Sequence, residues 1–382
     1  MEPAAKERVN TMKNKKVNYI IIGICLVIML VTLFLTDSPE NLWNALCTAN
    51  PLWLLCGLGC MLAYWLLETR ALFLVIDGLR KVSRSNGRRL KPGECLRVSM
   101  VGQLFNCITP FASGGQPMQA YMLSKYGQSV GTASSALLAR FIVYQFVLTV
   151  YSVVVLVFKF TFFLEQVSGF VTMIIIGFVI NTCVMAFLIA IGFFPKPTTK
   201  LLLALPGLLH KMHLCRRPGK LHRRITKELD SFYTDFHAIR HNMRILIRPA
   251  IDSAIQLTAY FSVAFFVCLS LQNSQGVDWF TIISAAAFVL MFSSFIPLPG
   301  GSGGAEISFY GLFFIFFPGD TASVGIALLL WRFFTFYLPM IVGMLMMYLD
   351  PDSKQAKKHM EQVEEQQQLQ EALEEQQEVN QK

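Results

Sequence analysis

Two arginines set in apolar sequence, Arg140 and Arg332, carry the sharpest chemistry in this chain. A charge deep in a membrane helix costs about 2.5–3.5 kcal/mol on insertion scales, so it demands a partner or water. A guanidinium stays ionised and presents a planar fork that matches phosphate oxygens. Contact with an anionic ligand would meet that demand. So would a structural pair with a helix carboxylate or with the carbonyls of a broken helix.

Upstream of each arginine stands the same short pattern, P-x-x-S-G-G. It reads Pro110-Phe111-Ala112-Ser113-Gly114-Gly115 and Pro299-Gly300-Gly301-Ser302-Gly303-Gly304. The prolines are 189 residues apart and the arginines 192. Leu137-Leu138-Ala139-Arg140-Phe141 likewise parallels Leu329-Leu330-Trp331-Arg332-Phe333. Two features at nearly one offset and in one order indicate an internal repeat. Interrupted apolar segments at corresponding places of two halves point to a transporter-type binding site.

Glycine lets a backbone approach a ligand closely, and the helix that follows each tip directs free N–H groups back toward it, which suits an anion. Ser113 and Ser302 add hydroxyl donors. The competing account is close packing of small residues between hairpin arms. Glu306 follows the second tip where Pro117 follows the first. A carboxylate in a first helical turn suits the helix dipole. It could equally face a cationic headgroup or carry a proton. Asp252, one turn before Gln256, belongs to the same class or sits at the interface. The candidate lipid- and phosphate-binding residues are therefore Arg140, Arg332, Ser113, Gly114, Gly115, Ser302, Gly303 and Gly304. Glu306 and Asp252 are candidates for headgroup or proton.

No catalytic, metal or cofactor site is read from the chain. His237 and His241 lie four apart, but no HExxH exists, and a solvated helix face accounts for them. GxSxG, Walker and dinucleotide fingerprints are missing, and the Gly300–Gly304 run lacks the GK[ST] ending of a phosphate-binding loop.

Composition sets the class. Of 382 residues, 54% are apolar and only 15% charged, with a mean hydropathy of +0.50. Soluble domains run near 25% charged, so the expected fold is an all-α polytopic membrane protein. The net charge of +9 falls in blocks between apolar runs, as in cytoplasmic loops, and calls for no direct nucleic-acid binding. Such blocks also attract anionic lipid headgroups. Nine scattered cysteines give no disulfide framework.

Full spans are expected at Tyr19–Leu35, Pro51–Ile76, Gly131–Phe158, Phe170–Phe194, Pro249–Leu271 and Thr321–Tyr348. Glu68 and Arg70 would reach the cytoplasmic interface at the end of the second. Lys159–Gly169 would be a short connector. The runs flanking each glycine tip fall short of the roughly 20 residues a crossing needs. Two re-entrant hairpins are therefore expected, giving seven or eight spans if their arms are counted. Basic loops put both termini in the cytoplasm. The first hairpin would then dip from the cytoplasm and the second from outside, an inverted-topology repeat. The expected layout is a basic N-terminus at 1–18, a transmembrane domain at 19–349 and a Glu/Gln-rich tail at 350–382. Within the domain, repeat one covers about 92–194, a basic loop 196–248, and repeat two about 249–349.

The stretch Gly102-Gln103-Leu104-Phe105-Asn106-Cys107-Ile108-Thr109-Pro110-Phe111-Ala112-Ser113-Gly114-Gly115-Gln116-Pro117, with the later P-x-P-G-G-x-G-x-x-E stretch and the Arg-Phe helix, resembles the lysylphosphatidylglycerol synthase/flippase transmembrane family. That family includes the membrane half of the multiple peptide resistance factor. The resemblance runs roughly from Val17 to Asp350. It implies a bacterial inner-membrane protein that handles aminoacylated phosphatidylglycerol and moves it between leaflets, giving resistance to cationic peptides. In the full-length factor a separate soluble domain transfers lysine from lysyl-tRNA to the lipid. Here 32 residues, mostly polar, follow Asp350, and that domain is expected to be absent from them. Three functions stay open on this reading: a lipid flippase-like protein, a phosphatidylglycerol lysyltransferase with a partner supplying catalysis, or a membrane scaffold that recruits a soluble enzyme. The expected partners are an anionic phospholipid and, for the latter two, a soluble aminoacyltransferase.

Overall fold

The computed structural model describes residues 47, 49–83, 88–166, 169–200, 203, 218–271, 278–293, 299–301, 303–318 and 320–349. The span expected at Tyr19–Leu35, Ser302, and the tail after Leu349 lie outside the described residues.

The described chain is helical, with no strand among the described residues. In order it forms α1 (Pro51–Ser83), α2 (Pro92–Ile108), α3 (Gly115–Lys125), α4 (Val130–Gln166), α5 (Phe170–Phe193) and α6 (Pro218–His241). It continues with α7 (Arg244–Ser270), α8 (Trp279–Ser293), α9 (Gly304–Phe313), α10 (Thr321–Arg332) and α11 (Leu338–Tyr348). Short 3-10 turns at Pro110–Ala112 and Pro299–Gly301 precede α3 and α9. A π turn, Phe333–Tyr337, joins α10 to α11.

Local signals start these helices. Glu94 Oε2 accepts from the Lys91 N–H at 2.7 Å, and Pro92 occupies the first turn of α2, where its missing donor costs nothing. Asp320 Oδ1 accepts from the Ser323 N–H at 3.0 Å and caps α10. Asp278 does the same for α8 through Thr281 at 3.1 Å.

Among the described residues, five helical stretches are long and apolar enough to cross a membrane: Pro51–Ser83, Val130–Gln166, Ile176–Phe193, Arg244–Ser270 and Ser323–Tyr348. They agree with five of the six expected spans. The protein is an all-α, multi-pass membrane protein. Trp279–Ser293 and Gly304–Phe316 are apolar but shorter. At 1.5 Å per residue, the 15 residues of α8 reach about 22 Å, short of a hydrocarbon core of about 30 Å. Along α4 the exposed Val150, Val153, Val154, Val157 and Phe158 form the kind of surface that lipid covers.

Three boundaries differ from the sequence reading. Helix α4 runs on to Gln166, because Lys159 folds back over Phe162 and Phe280 and so does not break the helix. Helix α7 begins at Arg244 rather than Pro249, which sits one turn inside it. The polar segment before it contains α6, an amphipathic helix whose Leu229, Phe232, Phe236 and Ile239 are buried at helical spacing.

Helices α1 and α7 pack antiparallel along much of their length, with Trp53 on Phe266 and Tyr64 on Tyr260. Helix α11 lies against α2, and Gly343 permits the approach: a Cβ there would stand 2.6 Å from the Met100 carbonyl oxygen. Buried Gln145 and Asn181 bond between α4 and α5, and Asn181 also donates to Thr149 Oγ1 at 2.8 Å. Helix α6 crosses one end of the bundle. Asp235 accepts from Ser83 on α1 and, at 2.6 Å, from Thr132 on α4, while Glu228 takes the Gly131 N–H at 2.6 Å.

Candidate functional site: two glycine tips and two guanidiniums

The two halves repeat one element order: a short helix, a 3-10 tip, a second short helix, then a helix carrying the arginine. The backbone repeats too. Phe111 and Ala112 have φ of 56° and 51°, and Gly300 and Gly301, at the equivalent positions, have 62° and 63°. The tips touch each other, and Pro299–Gly301 also rests on α2.

Their surroundings differ. In the first tip Phe111 points outward and is exposed. In the second, a Cβ on Gly300 would lie 2.0 Å from the Phe336 ring, and one on Gly301 2.6 Å from the Ser293 carbonyl oxygen. The second tip is therefore pressed into the protein, and only glycine fits there.

The N–H groups of the first tip are occupied. Gly114 donates to Thr109 Oγ1 at 2.8 Å and Gly115 to Asn106 Oδ1 at 3.0 Å. Ser113, exposed, donates to the Pro110 carbonyl at 2.9 Å. The glycine amides expected to face an anion are thus spent on closing the turn in this conformation. At the second tip Gly303 is left-handed with φ of 82°, and Gly304 is buried at the start of α9.

Arg140 meets Glu68. Its Nη1 donates to the Glu68 carbonyl and to Oε1, both at 3.4 Å, and Nη2 donates to Oε1 at 3.3 Å. Glu68 Oε2 accepts from Gln103 at 2.7 Å, and Gln103 also reaches the Tyr64 hydroxyl at 3.2 Å. Glu68 is buried, which corrects the reading that placed it at the interface. A neighbouring guanidinium supplies what water would have supplied. Arg70, by contrast, is exposed and pairs with buried Asp252 at 3.4 Å. Asp252 Oδ2 has no hydrogen-bond partner among the described residues.

Arg332 is 5% exposed. Its Nη1 donates to the Gly300 carbonyl at 3.2 Å, so the arginine braces its own tip. Its guanidinium lies 5.4 Å from the ring centres of both Trp331 and Phe336. Nη2 is 2.6 Å from Glu306 Oε1, an ion contact without hydrogen-bond alignment. Nε and Nη2 of Arg332 and Oε2 of Glu306 all lack an aligned partner among the described residues.

Among the described residues, three guanidinium–carboxylate pairs join one apolar helix to another: Arg70–Asp252, Arg140–Glu68 and Arg332–Glu306. Sequence reasoning named the second and third arginines, assigned Glu68 to the interface rather than to Arg140, and gave no role to Gln103 or Tyr64. An inventory of acids inside apolar runs, matched against the arginines there, would have flagged Glu68. Gln103 stands in the quoted Gly102–Pro117 stretch, which gives it no partner, and nothing local marks Tyr64. The described residues hold no group of three metal-ligating side chains, and His237 and His241 are exposed on α6.

A family profile described as the lysylphosphatidylglycerol synthase TM region matches residues 20–343. A UPF0104 membrane protein of Archaeoglobus fulgidus is 24% identical over 325 residues, covering 81% of this chain and 90% of that protein. The profile takes in both tips, all three pairs and the helices from α1 to α10, so this chain belongs to the lysylphosphatidylglycerol synthase transmembrane family.

Proposed function

We propose that this protein carries a phospholipid, aminoacylated phosphatidylglycerol or a related anionic lipid, between membrane leaflets. The observation that bears most weight is Arg332. It is a buried charge at a broken-helix tip, with donors left over after its own carbonyl is served. Arg140 and Arg332 are each charge-balanced by a carboxylate, so an anion is held by directed guanidinium donors rather than by net positive charge. Glu306 and Asp252 offer acceptors to an ammonium or hydroxyl headgroup. Acyl chains stay in the bilayer. The halves face the membrane with opposite topology and rock about the tips. The repeated element order and the contact between tips support this.

In this reading the end of the bundle that carries Arg80, Lys81, Arg88, Arg89 and α6 is cytoplasmic, in keeping with the positive-inside rule. The host membrane is a bacterial inner membrane.

Purified full chain in vesicles with labelled lysyl-phosphatidylglycerol should speed its appearance in the opposite leaflet. Wild-type rates in both Arg140→Ala and Arg332→Ala would remove the electrostatic role. The word synthase in the family's description keeps lysyl transfer as the competing reading. Incubation of the chain with lysyl-tRNA and phosphatidylglycerol separates the two: lysyl-lipid formed by this chain alone would replace transport with catalysis.

A further inference from the structure

The two arginines are equivalent in sequence but not in how their hydrogen-bonding capacity is used. At Arg140 both terminal nitrogens donate to Glu68, and both Glu68 oxygens are taken, one by Arg140 and one by Gln103. The pair is closed on itself. Only Arg140 Nε is left over.

At Arg332 the bonding runs the other way. One nitrogen, Nη1, holds the Gly300 carbonyl. The opposite edge of the fork, Nε with Nη2, has no aligned acceptor among the described residues. That edge presents two parallel N–H bonds, the arrangement that takes a phosphate or carboxylate bidentately. In a side chain 5% exposed, Nε meets no acceptor and Nη2 only the off-axis Glu306 oxygen, and a buried donor without an aligned acceptor loses its hydration for little return. Trp331 and Phe336 flank the guanidinium and limit where it can swing. The brace to Gly300 fixes it against the tip. Glu306 Oε1 touches Nη2 off-axis and leaves Oε2 free, so it balances the charge without filling the fork.

We infer that the protein has one phosphodiester-binding half-site rather than two: the Nε–Nη2 edge of Arg332 receives the phosphodiester, and Arg140 is a positioning residue that holds α4 to α1 through Glu68. The inference rests on the lipid-carrying reading and assigns its phosphate to one arginine. The repeat is therefore functionally one-sided, with the second half binding and the first half bracing. Lysine at 332 keeps the charge but loses the fork, which makes it the sharper probe.

The test uses purified full chain in detergent and short-chain (dihexanoyl) phosphatidylglycerol, with affinity read by calorimetry and folding by thermal unfolding. Arg332→Lys should weaken binding about tenfold or more, as the loss of a charge-assisted hydrogen bond implies, with little change in unfolding temperature. Arg140→Lys should lower the unfolding temperature and shift affinity less than threefold or so, roughly within the reach of a weak indirect effect. Should Arg332→Lys fail to fold, Arg332→Gln with Glu306→Gln removes both charges and is expected to lose binding equally. Equal losses of affinity at both arginines, or full affinity in Arg332→Lys, overturns the one-sided site. Inorganic phosphate binding as tightly as the lipid overturns the lipid as its occupant. No binding of the lipid by the unmodified chain removes the carrier reading itself, and this inference with it.

Discussion

Phe111 and Gly300 share one left-handed backbone conformation, with φ of 56° and 62°, at matching places in two tips that touch. A side chain in that region costs roughly 1–2 kcal/mol, and the first half bears the cost at both Phe111 and Ala112. The conformation is thus imposed by the tip and not by glycine alone. Phe111→Gly should be neutral to stabilising by about 1 kcal/mol, since relief of strain exceeds the added entropy of the unfolded chain. Gly300→Ala should lose about 2 kcal/mol or more, from the same strain plus collision with Phe336. Thermal unfolding of the two variants in one detergent checks the opposite signs.

Glu68 answers Arg140 inside the bundle, so removing it strands a charge. Glu68→Ala should cost about 3–5 kcal/mol, the usual penalty for breaking a buried pair. Glu68→Leu with Arg140→Met removes both charges and should recover most of that loss. Folded yield by size-exclusion chromatography distinguishes the single from the double variant. A double variant as poor as the single would show that the pair does more than neutralise charge.

Asp235 ties α6 to α1 and α4 together, through Ser83 and Thr132. Asp235→Ala leaves two hydroxyls without their acceptor and should cost about 1–3 kcal/mol locally. Limited proteolysis should then cut between Phe193 and Arg244 faster than in the unmodified protein, while α7 stays protected. An unchanged cleavage rate would mean that the apolar face of α6 suffices to hold it.

Asp278 carries a pH signature. Hydrogen bonds from the Thr281 hydroxyl, then its N–H, and the Lys159 ammonium hold its carboxyl below the ordinary carboxylate value against a smaller opposing effect of burial. A lowered folded-state value means the stabilisation is fully present above the unfolded value, about 3.9, and is lost as pH falls through the folded one. The carboxylate is 58% exposed, so screening limits the ion-pair part to less than about 1 kcal/mol. Asp278→Asn should therefore be slightly less stable than the unmodified chain from pH 5 to 8, and the difference should shrink as pH falls below about 4. A difference that grows in acid would contradict the assignment.

The spans were legible because hydropathy is local: each of the five follows from its own residues. The tips were legible because proline and glycine punctuate an apolar run twice. What the sequence hid was pairing across distance. Glu68 reads as interfacial on its own helix, since nothing near it reveals that Arg140 comes alongside from 72 residues away. Gln103 is one polar residue in an apolar arm and gains meaning only from the Glu68 oxygen it meets. The start of α7 was misplaced because Pro249 looks like a boundary, yet it lies inside the helix, which runs on through the one backbone bond that proline cannot make. The glycine amides were expected to be free, and Thr109 and Asn106, both within the quoted motif, turned out to occupy them.

The Asp235 bridge also bears on biogenesis. Ser83 and Thr132 leave the ribosome 152 and 103 residues before the carboxylate that joins them. Helices α1 and α4 must therefore enter the bilayer with their ends unfastened, and a later amphipathic segment staples them from the aqueous side. A nascent chain stopped short of Pro218 would be inserted yet still open at that end.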